Sequence, residues 1–448
     1  MMRPLTIGAL RSAYAEGSAT PSQVLPDLAR RFPDPDQEGV WISTIAPDVL
    51  AAKCAALEAD PAARDLPLYG IPFSVKDNID TAGFDTTAAC PAYAYRPEES
   101  ATVVARVEAA GAICMGKTNM DQFATGLVGV RSPYGTARNP FNPDYIPGGS
   151  SSGAGVSIST GMVAFAFGTD TGGSGRVPAS YNGIYGLKPA PGAWSRHGMV
   201  YACRSFDTAT VFSAVLEDAL TIDRIVQGPD PKDPLGQVCA GIDVAAPRVA
   251  MAPPDRIDTF GDADVAGLYR QAYALLTDRL GATDTDLASF QAINDLMFFG
   301  PYLAERDVSV GAFIDAHPRD CHPVVGPMIQ ASRAFTAADA YRALYETAEA
   351  RHVTQAFWQA HDVLITPTVG ALVTRAMCKA DPLGPNFRNG TYTNFANPLG
   401  LCALTVPFGR TPQNVPWGLT LYALPDRLSA IRNTAEALRR LQPGVCAQ

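Results

Sequence analysis

Two serine-bearing glycine loops bracket one apolar stretch in the run PGGSSSGAGVSISTGMVAFAFGTDTGGSGRVPAS, Pro147 to Ser180, which constrains the chain more than any other segment. Glycine lets backbone N–H groups converge on a small anion, and serine hydroxyls beside them relay protons or attack a carbonyl. The combination suggests an acyl-transfer site. The loop Thr171-Gly172-Gly173-Ser174 offers consecutive backbone donors to an oxyanion, often the largest catalytic contribution, and makes Ser174 the candidate nucleophile. A serine nucleophile needs a base. The five histidines, His197, His317, His322, His352 and His361, all lie away from both glycine loops in sequence. The other conspicuous candidate is Lys76, which ends the apolar, strand-like run of GIPFSVKDNID. Burial at a strand end lowers a lysine pKa from about 10.4 by several units and makes it a base near neutrality.

Helical patterns alternate with short apolar runs along the chain. Thr6 to Glu16, Pro21 to Phe32 (with Thr20 as N-cap) and Ala46 to Leu57 read as helices, Ile71 to Val75 as a strand, Ala101 to Ala110 as a helix closed by Gly111, and Ala112 to Met115 as a buried strand. This alternation predicts an α/β fold with helices on both faces of a mixed sheet. Gln227 to Pro254, rich in Pro, Asp and Gly, reads as a surface excursion. Beyond it, helices are expected near Asp264 to Arg279, Phe290 to Arg306 and Ala337 to Ala360, and a last strand, PWGLTLYAL, precedes a last helix, LSAIRNTAEALRRL.

GIPFSVKDNID, GKTNMDQFA (Gly116 to Ala124), PGGSSSG (Pro147 to Gly153) and GTDTGGSGRVPA (Gly168 to Ala179) together resemble the amidase signature family, in order and in spacing: 74 positions from Lys76 to Ser150 and 24 from Ser150 to Ser174. The resemblance implies the amidase signature fold, a central mixed β-sheet covered by helices. It implies one domain over residues 1–448, with a signature core at about 65–225 and a C-terminal half at about 255–440 completing it; a C-terminal accessory domain, often carried by allophanate hydrolases, is not read in this sequence. It also implies a Ser-cisSer-Lys triad in which Ser174 attacks, Ser150 relays the proton and Lys76 is the ultimate base. The amides of Thr171, Gly172, Gly173 and Ser174 would form the oxyanion hole. Ser151 and Ser152 would support the site, and Asp170 with Arg176 would form a structural ion pair holding the loop.

Within the family, TTAACPAYAY (Thr86 to Tyr95), DQFATGLVGVRSPYG (Asp121 to Gly135), ACRSFD (Ala202 to Asp207) and GTYTNF (Gly390 to Phe395) are similar to allophanate hydrolases. Allophanate is a small anion. The resemblance places a carboxylate-binding arginine at Arg306 and further substrate contacts at Gln122, Ser151 and Phe298, the last standing where that subgroup carries a tyrosine. An amidohydrolase of a small amide or ureido carboxylate, allophanate first, is therefore expected, with no cofactor and no metal. The alternatives are other small amides, such as a malonamate-like or aliphatic one, and a partner-dependent component of an amidotransferase. A homodimer, and a separate domain or subunit that decarboxylates the product, stay open.

Composition agrees with a globular enzyme, at 47% hydrophobic and 18% charged residues, and the net charge of −9 argues against a nucleic-acid partner. Nine scattered cysteines without a C-x-x-C pair suggest a reduced, cytoplasmic protein. The first residues lack the apolar core of a signal peptide, and no stretch is long and apolar enough for a membrane span. Three motif matches compete. Gly111 to Thr118 fits the phosphate-loop pattern, but its interior is itself a predicted strand. Gly149 to Gly153 fits the nucleophile elbow around Ser151, the basis of an esterase alternative, but follows a turn-rich coil. His317 to His322 has metal-ligand residue types without a spaced second pair, and reads as a solvated loop. Lys117 reads as a loop cation and Asp121 as a turn or cap residue.

Overall fold

The computed structural model describes residues 4–32 and 38–441; Cys446 lies outside them. Side-chain hydrogen bonds open the first two helices. Thr6 accepts the N–H of Ala9 at the start of α1 (Ile7–Ala15), and Gln23 accepts the N–H of the N-cap Thr20 at 3.1 Å before α2 (Pro21–Ala29). Helix α3 (Pro47–Ala59) opens with proline at its first position, where a missing N–H costs nothing, and α4 (Thr102–Ala109) buries Val103, Val104 and Val107.

Eleven strands form one mixed sheet in the order β1-β3-β2-β4-β6-β5-β10-β11-β9-β7-β8. They are β1 (Trp41–Thr44), β2 (Pro72–Lys76), β3 (Ile113–Thr118), β4 (Phe165–Asp170), β5 (Tyr185–Lys188), β6 (Thr208–Ser213), β7 (Val249–Met251), β8 (Thr283–Asp284), β9 (Val363–Pro367), β10 (Cys402–Arg410) and β11 (Pro416–Ala423). β2 runs parallel to both β3 and β4, whereas β4 through β11 to β9 pair antiparallel. Every residue of β2, β3 and β4 is buried, which explains why these strands read as continuous apolar runs rather than alternating ones. Helices α5 (Ser152–Ser159), α6 (Val177–Asn182) and α7 (Leu216–Val226) pack on this part of the sheet. Among the described residues no helix is long and apolar enough to cross a membrane.

Four expectations are corrected. Phe290 to Arg306 is not one helix but short turns of helix: Ala288–Gln291, Asn294–Met297, Pro301–Leu303 and Ala304–Arg306. Pro301 lacks an N–H and forces Gly300 into extended backbone, so a continuous helix cannot pass. Ala337 to Ala360 divides into Ala337–Val353 and Gln355–Ala360 at Thr354, whose hydroxyl bonds back to the carbonyl of Ala350. The excursion from Gln227 to Pro254 returns to the sheet as β7, because Val249–Met251 pairs with β9. Lys117 is no loop cation: it lies on β3, fully buried, 3.6 Å from Asp77 and donating to Thr86. The phosphate-loop match is thus a strand with an internally paired lysine.

Candidate active site

The C-terminal ends of two neighbouring strands place the first polar pair. Lys76 ends β2, and Thr169 stands on the adjacent β4; the Lys76 Nζ lies 2.7 Å from Ser150 Oγ and 2.6 Å from Thr169 Oγ1. Burial pushes the Lys76 ammonium down to about 7, with Asp121, Asp207 and Asp170 acting in the opposite direction. A lysine with two hydroxyl neighbours and this pKa can shed its proton and accept one from Ser150.

Ser150 follows a cis Gly149–Ser150 peptide, and its carbonyl accepts the N–H groups of Asp121 and Ser152. Asp121 does more than end a turn. Its buried carboxylate accepts the N–H groups of Val128, Gly129 and Arg131 and so folds the loop that carries Thr125 and Gly126. Ser151 bonds to the backbone of Thr169 as both donor and acceptor, a tie between the start of α5 and β4 rather than an exposed elbow.

Ser174 is 3% exposed, and its hydroxyl donates to the Gly126 carbonyl at a long 3.5 Å. Among the described residues no hydrogen bond joins Ser174 to Ser150. The structure therefore brings Lys76 and Ser150 into contact and holds Ser174 on the neighbouring loop, turned toward Gly126. The amides of Thr171, Gly172, Gly173 and Ser174 donate to no acceptor among the described residues, so the loop presents free N–H groups. Two anchors hold it. Arg176 grips Asp170 in a fully buried bidentate pair at 2.9 and 2.7 Å, while Asp170 also accepts the N–H of Gly175. Against the upward pull of burial, Arg176 holds the Asp170 carboxyl below its usual range. On the other side Thr171 donates its hydroxyl to Asp207, which also accepts the N–H groups of Ala202 and Cys203; burial pushes the Asp207 carboxyl up to about 6.

The C-terminal half supplies the facing wall. Arg306 is buried, yet its contacts are weak: Nε lies 3.3 Å from Thr125 Oγ1, Nη1 3.5 Å from the Met297 carbonyl, and Nη2 has no partner. Its guanidinium lies 5.2 Å from the centre of the Phe298 ring. Phe298 in turn reaches the glycine loop, for a Cβ added at Gly172 would stand 2.9 Å from the ring and 2.8 Å from Asn394 Oδ1. Glycine at 172 is what lets the wall approach so closely. Behind Phe298 opens an apolar cavity of about 610 Å³, lined also by Phe299, Leu303, Met328, Phe335 and Phe387.

Gln122 departs from its expected place among the substrate contacts. Its amide donates to the carbonyls of Ala89 and Asp320 and accepts the N–H of His322, which commits it to fastening the loop after His317. Residues that sequence reasoning passed over are Thr169, Thr125, Asp207 and Asn394. All four stand inside the motifs given above, but nothing in a linear pattern shows which polar side chains end up buried together.

The family model for amidases matches residues 36–427. A urea amidolyase of Lachancea kluyveri is 36% identical over 421 residues, which are 90% of this chain and 23% of the relative, so the chain spans about a quarter of that relative's length. A glutamyl-tRNA(Gln) amidotransferase component from Lacticaseibacillus paracasei is 31% identical over 450 residues, covering 93% of this chain and 92% of the relative. Among solved structures, the Kluyveromyces lactis allophanate hydrolase superimposes with a TM-score of 0.92 at 34% identity, covering 98% of this chain and 72% of that one.

Proposed function

The chain belongs to the amidase family, whose signature fold it has; from that premise we propose that it is a hydrolase of amide C–N bonds and that it hydrolyses allophanate, urea-1-carboxylate, through an acyl-enzyme on Ser174. The Ser174 hydroxyl leaves its weak contact with Gly126 and attacks the terminal carbonyl carbon, passing its proton to Ser150 as Ser150 passes its own to neutral Lys76. Long nucleophile contacts before substrate binds are common and tighten in the complex. The carbonyl oxygen takes up negative charge against the free amides of Thr171 to Ser174. The tetrahedral adduct collapses, and ammonia leaves with a proton returned from Lys76 through Ser150. Water then attacks the acyl-serine by the same relay, releases N-carboxycarbamate and restores the Ser174 hydroxyl. A separate domain or subunit would act on that product.

The observation that carries the substrate class is Arg306: a buried guanidinium with an unpartnered Nη2, across the Phe298 ring from the amide-lined loop. A buried cation without an anion is costly, and a substrate carboxylate supplies the missing charge. One observation favours a second reading: the apolar cavity behind Phe298 suits an amide with an apolar acyl group. Ammonia release by the chain alone, measured on allophanate, malonamate, biuret and simple aliphatic amides, separates the two. The expected order is carboxylate-bearing amides far above neutral ones. A preference for uncharged amides removes the allophanate assignment, and strict dependence on an added partner favours the amidotransferase-like alternative.

A further inference from the structure

The helix Gly384–Gly390 and the segment after it carry several asparagines with different fates. Asn389 donates to the Leu127 carbonyl and accepts from Tyr181; Asn397 donates to the carbonyls of Asp170 and Phe206 and accepts from Arg176. Both are structural, with donor and acceptor satisfied. Asn394 differs. It is 7% exposed, its backbone N–H is satisfied by Gly390, and its carboxamide makes no hydrogen bond to any described residue, leaving Oδ1 buried without a partner. Buried polar side chains are nearly always hydrogen-bonded, so an orphan beside the glycine loop calls for a ligand.

Its position says which part of a ligand it meets. A Cβ placed on Gly172 would lie 2.8 Å from Asn394 Oδ1 and 2.9 Å from the Phe298 ring, whose face lies 5.2 Å from the Arg306 guanidinium. Three unpaired sets of groups thus lie around Gly172 and the Phe298 ring: the donor Arg306 Nη2, the acceptor Asn394 Oδ1 and the donor amides of Thr171 to Ser174. A ureido carboxylate carries the complementary sequence in its own chain: a carboxylate that accepts, then an N–H that donates, then a carbonyl that accepts.

Resting on the allophanate reading above, we propose that Asn394 accepts the N–H between the carboxylate and the reacting carbonyl, and so selects a ureido carboxylate over its CH₂ analogue. Malonamate has the same carboxylate and the same amide, with CH₂ in place of N–H. It can satisfy Arg306 and the loop amides but leaves Asn394 Oδ1 unpaired, and sites built to hydrogen-bond a polar group discriminate strongly against analogues that lack it.

The test is the ratio of kcat/KM for allophanate to that for malonamate, in the wild type and in Asn394→Leu, which keeps the volume and removes the acceptor. The ratio is expected to fall at least tenfold, with Asn394→Ser giving the same direction if the leucine variant does not fold. Calorimetric binding to Ser174→Ala needs no change at 394: allophanate is expected to bind at least ten times more tightly than malonamate. Equal affinities there, or a ratio within threefold of the wild type in a folded Asn394 variant, overturns the role of Asn394 and leaves the allophanate reading standing. A wild-type chain that turns over neither compound, or malonamate alone, overturns both.

Discussion

Arg176 lies beneath the glycine loop and Arg306 beside the Phe298 ring, two fully buried guanidinium groups partnered in opposite ways. Arg176 pairs bidentately with Asp170 and also donates to the Thr393 carbonyl, Tyr422 and Asn397. Arg306 has one long bond to Thr125, a longer one to Met297 and an unpartnered nitrogen. The surroundings follow the same division. Lys76, Asp121 and Asp170 themselves bond to neighbouring side chains or to backbone, whereas Arg306 and Asn394 keep unpaired polar atoms. The difference teaches that the guanidinium holding the loop is fixed by the fold itself, whereas the one proposed for recognition keeps a nitrogen free for a substrate.

The sharpest way to break the chemical side is to remove its nucleophile. Ser174→Ala is expected to lower kcat by at least about 10⁴-fold, and Lys76→Ala or Ser150→Ala by comparable factors that do not add, because groups acting as one relay fail together. Single-turnover ammonia release checks this, and substantial turnover by Ser174→Ala would falsify the acyl-enzyme. The pH profile tests the base. With Lys76 depressed to about 7, protonation below that pH removes its lone pair, so kcat/KM should fall on the acid side and level off above neutrality. A profile flat from pH 5 to 9 contradicts a lysine base.

Stability measurements break the comparison in the other direction. Arg176→Met strands the Asp170 carboxylate in the interior and should cost about 3–5 kcal/mol in a denaturant titration. Arg306→Met removes a buried cation that nothing in the free protein neutralises fully, and should leave stability unchanged or raised. Malonate should raise the melting temperature of the wild type and not that of Arg306→Met, since only a ligand bound to the native state stabilises it. Equal losses for the two arginines would mean that Arg306 is a strut like Arg176.

The same contrast explains what the sequence reveals. Lys76, Ser150 and Ser174 stand in glycine-rich signatures whose spacing is readable, and β2 and β3 are apolar enough to be recognised, because a fold-fixed site leaves its requirements in local sequence. The recognition wall does not. Phe290 to Arg306 has a helical pattern that Gly300-Pro301 interrupts, and the interruption itself is a legible signal, outweighed by the apolar periodicity around it. Gln122 resembles a substrate contact until the fold brings His322 and Asp320 against it. Lys117 looks like a loop cation until β3 pairs with β2 and buries it beside Asp77. Burial of polar groups comes from contacts between distant segments, which no periodicity records.

Two smaller effects sharpen the recognition side. Arg306→Ala should raise KM for carboxylate amides roughly 10- to 100-fold, the equivalent of a charge-assisted hydrogen bond of about 1.5–3 kcal/mol, with a much smaller change for aliphatic amides. Phe298→Tyr should do least. Its ring reaches toward Gly172 and lies over Arg306, so a hydroxyl added at the ring tip would border the space assigned to the substrate carboxylate. One neutral hydrogen bond contributes about 0.5–1.5 kcal/mol, which predicts a gain of roughly 2- to 10-fold in kcat/KM for allophanate and for malonamate alike, since both carry the carboxylate. If the hydroxyl and Arg306 hold the same group, the gain should vanish in the Arg306→Ala background, as a double-mutant cycle would measure. A loss of activity in Phe298→Tyr would instead mean that the aromatic wall is shaped for an apolar acyl group, which the cavity behind it already accommodates.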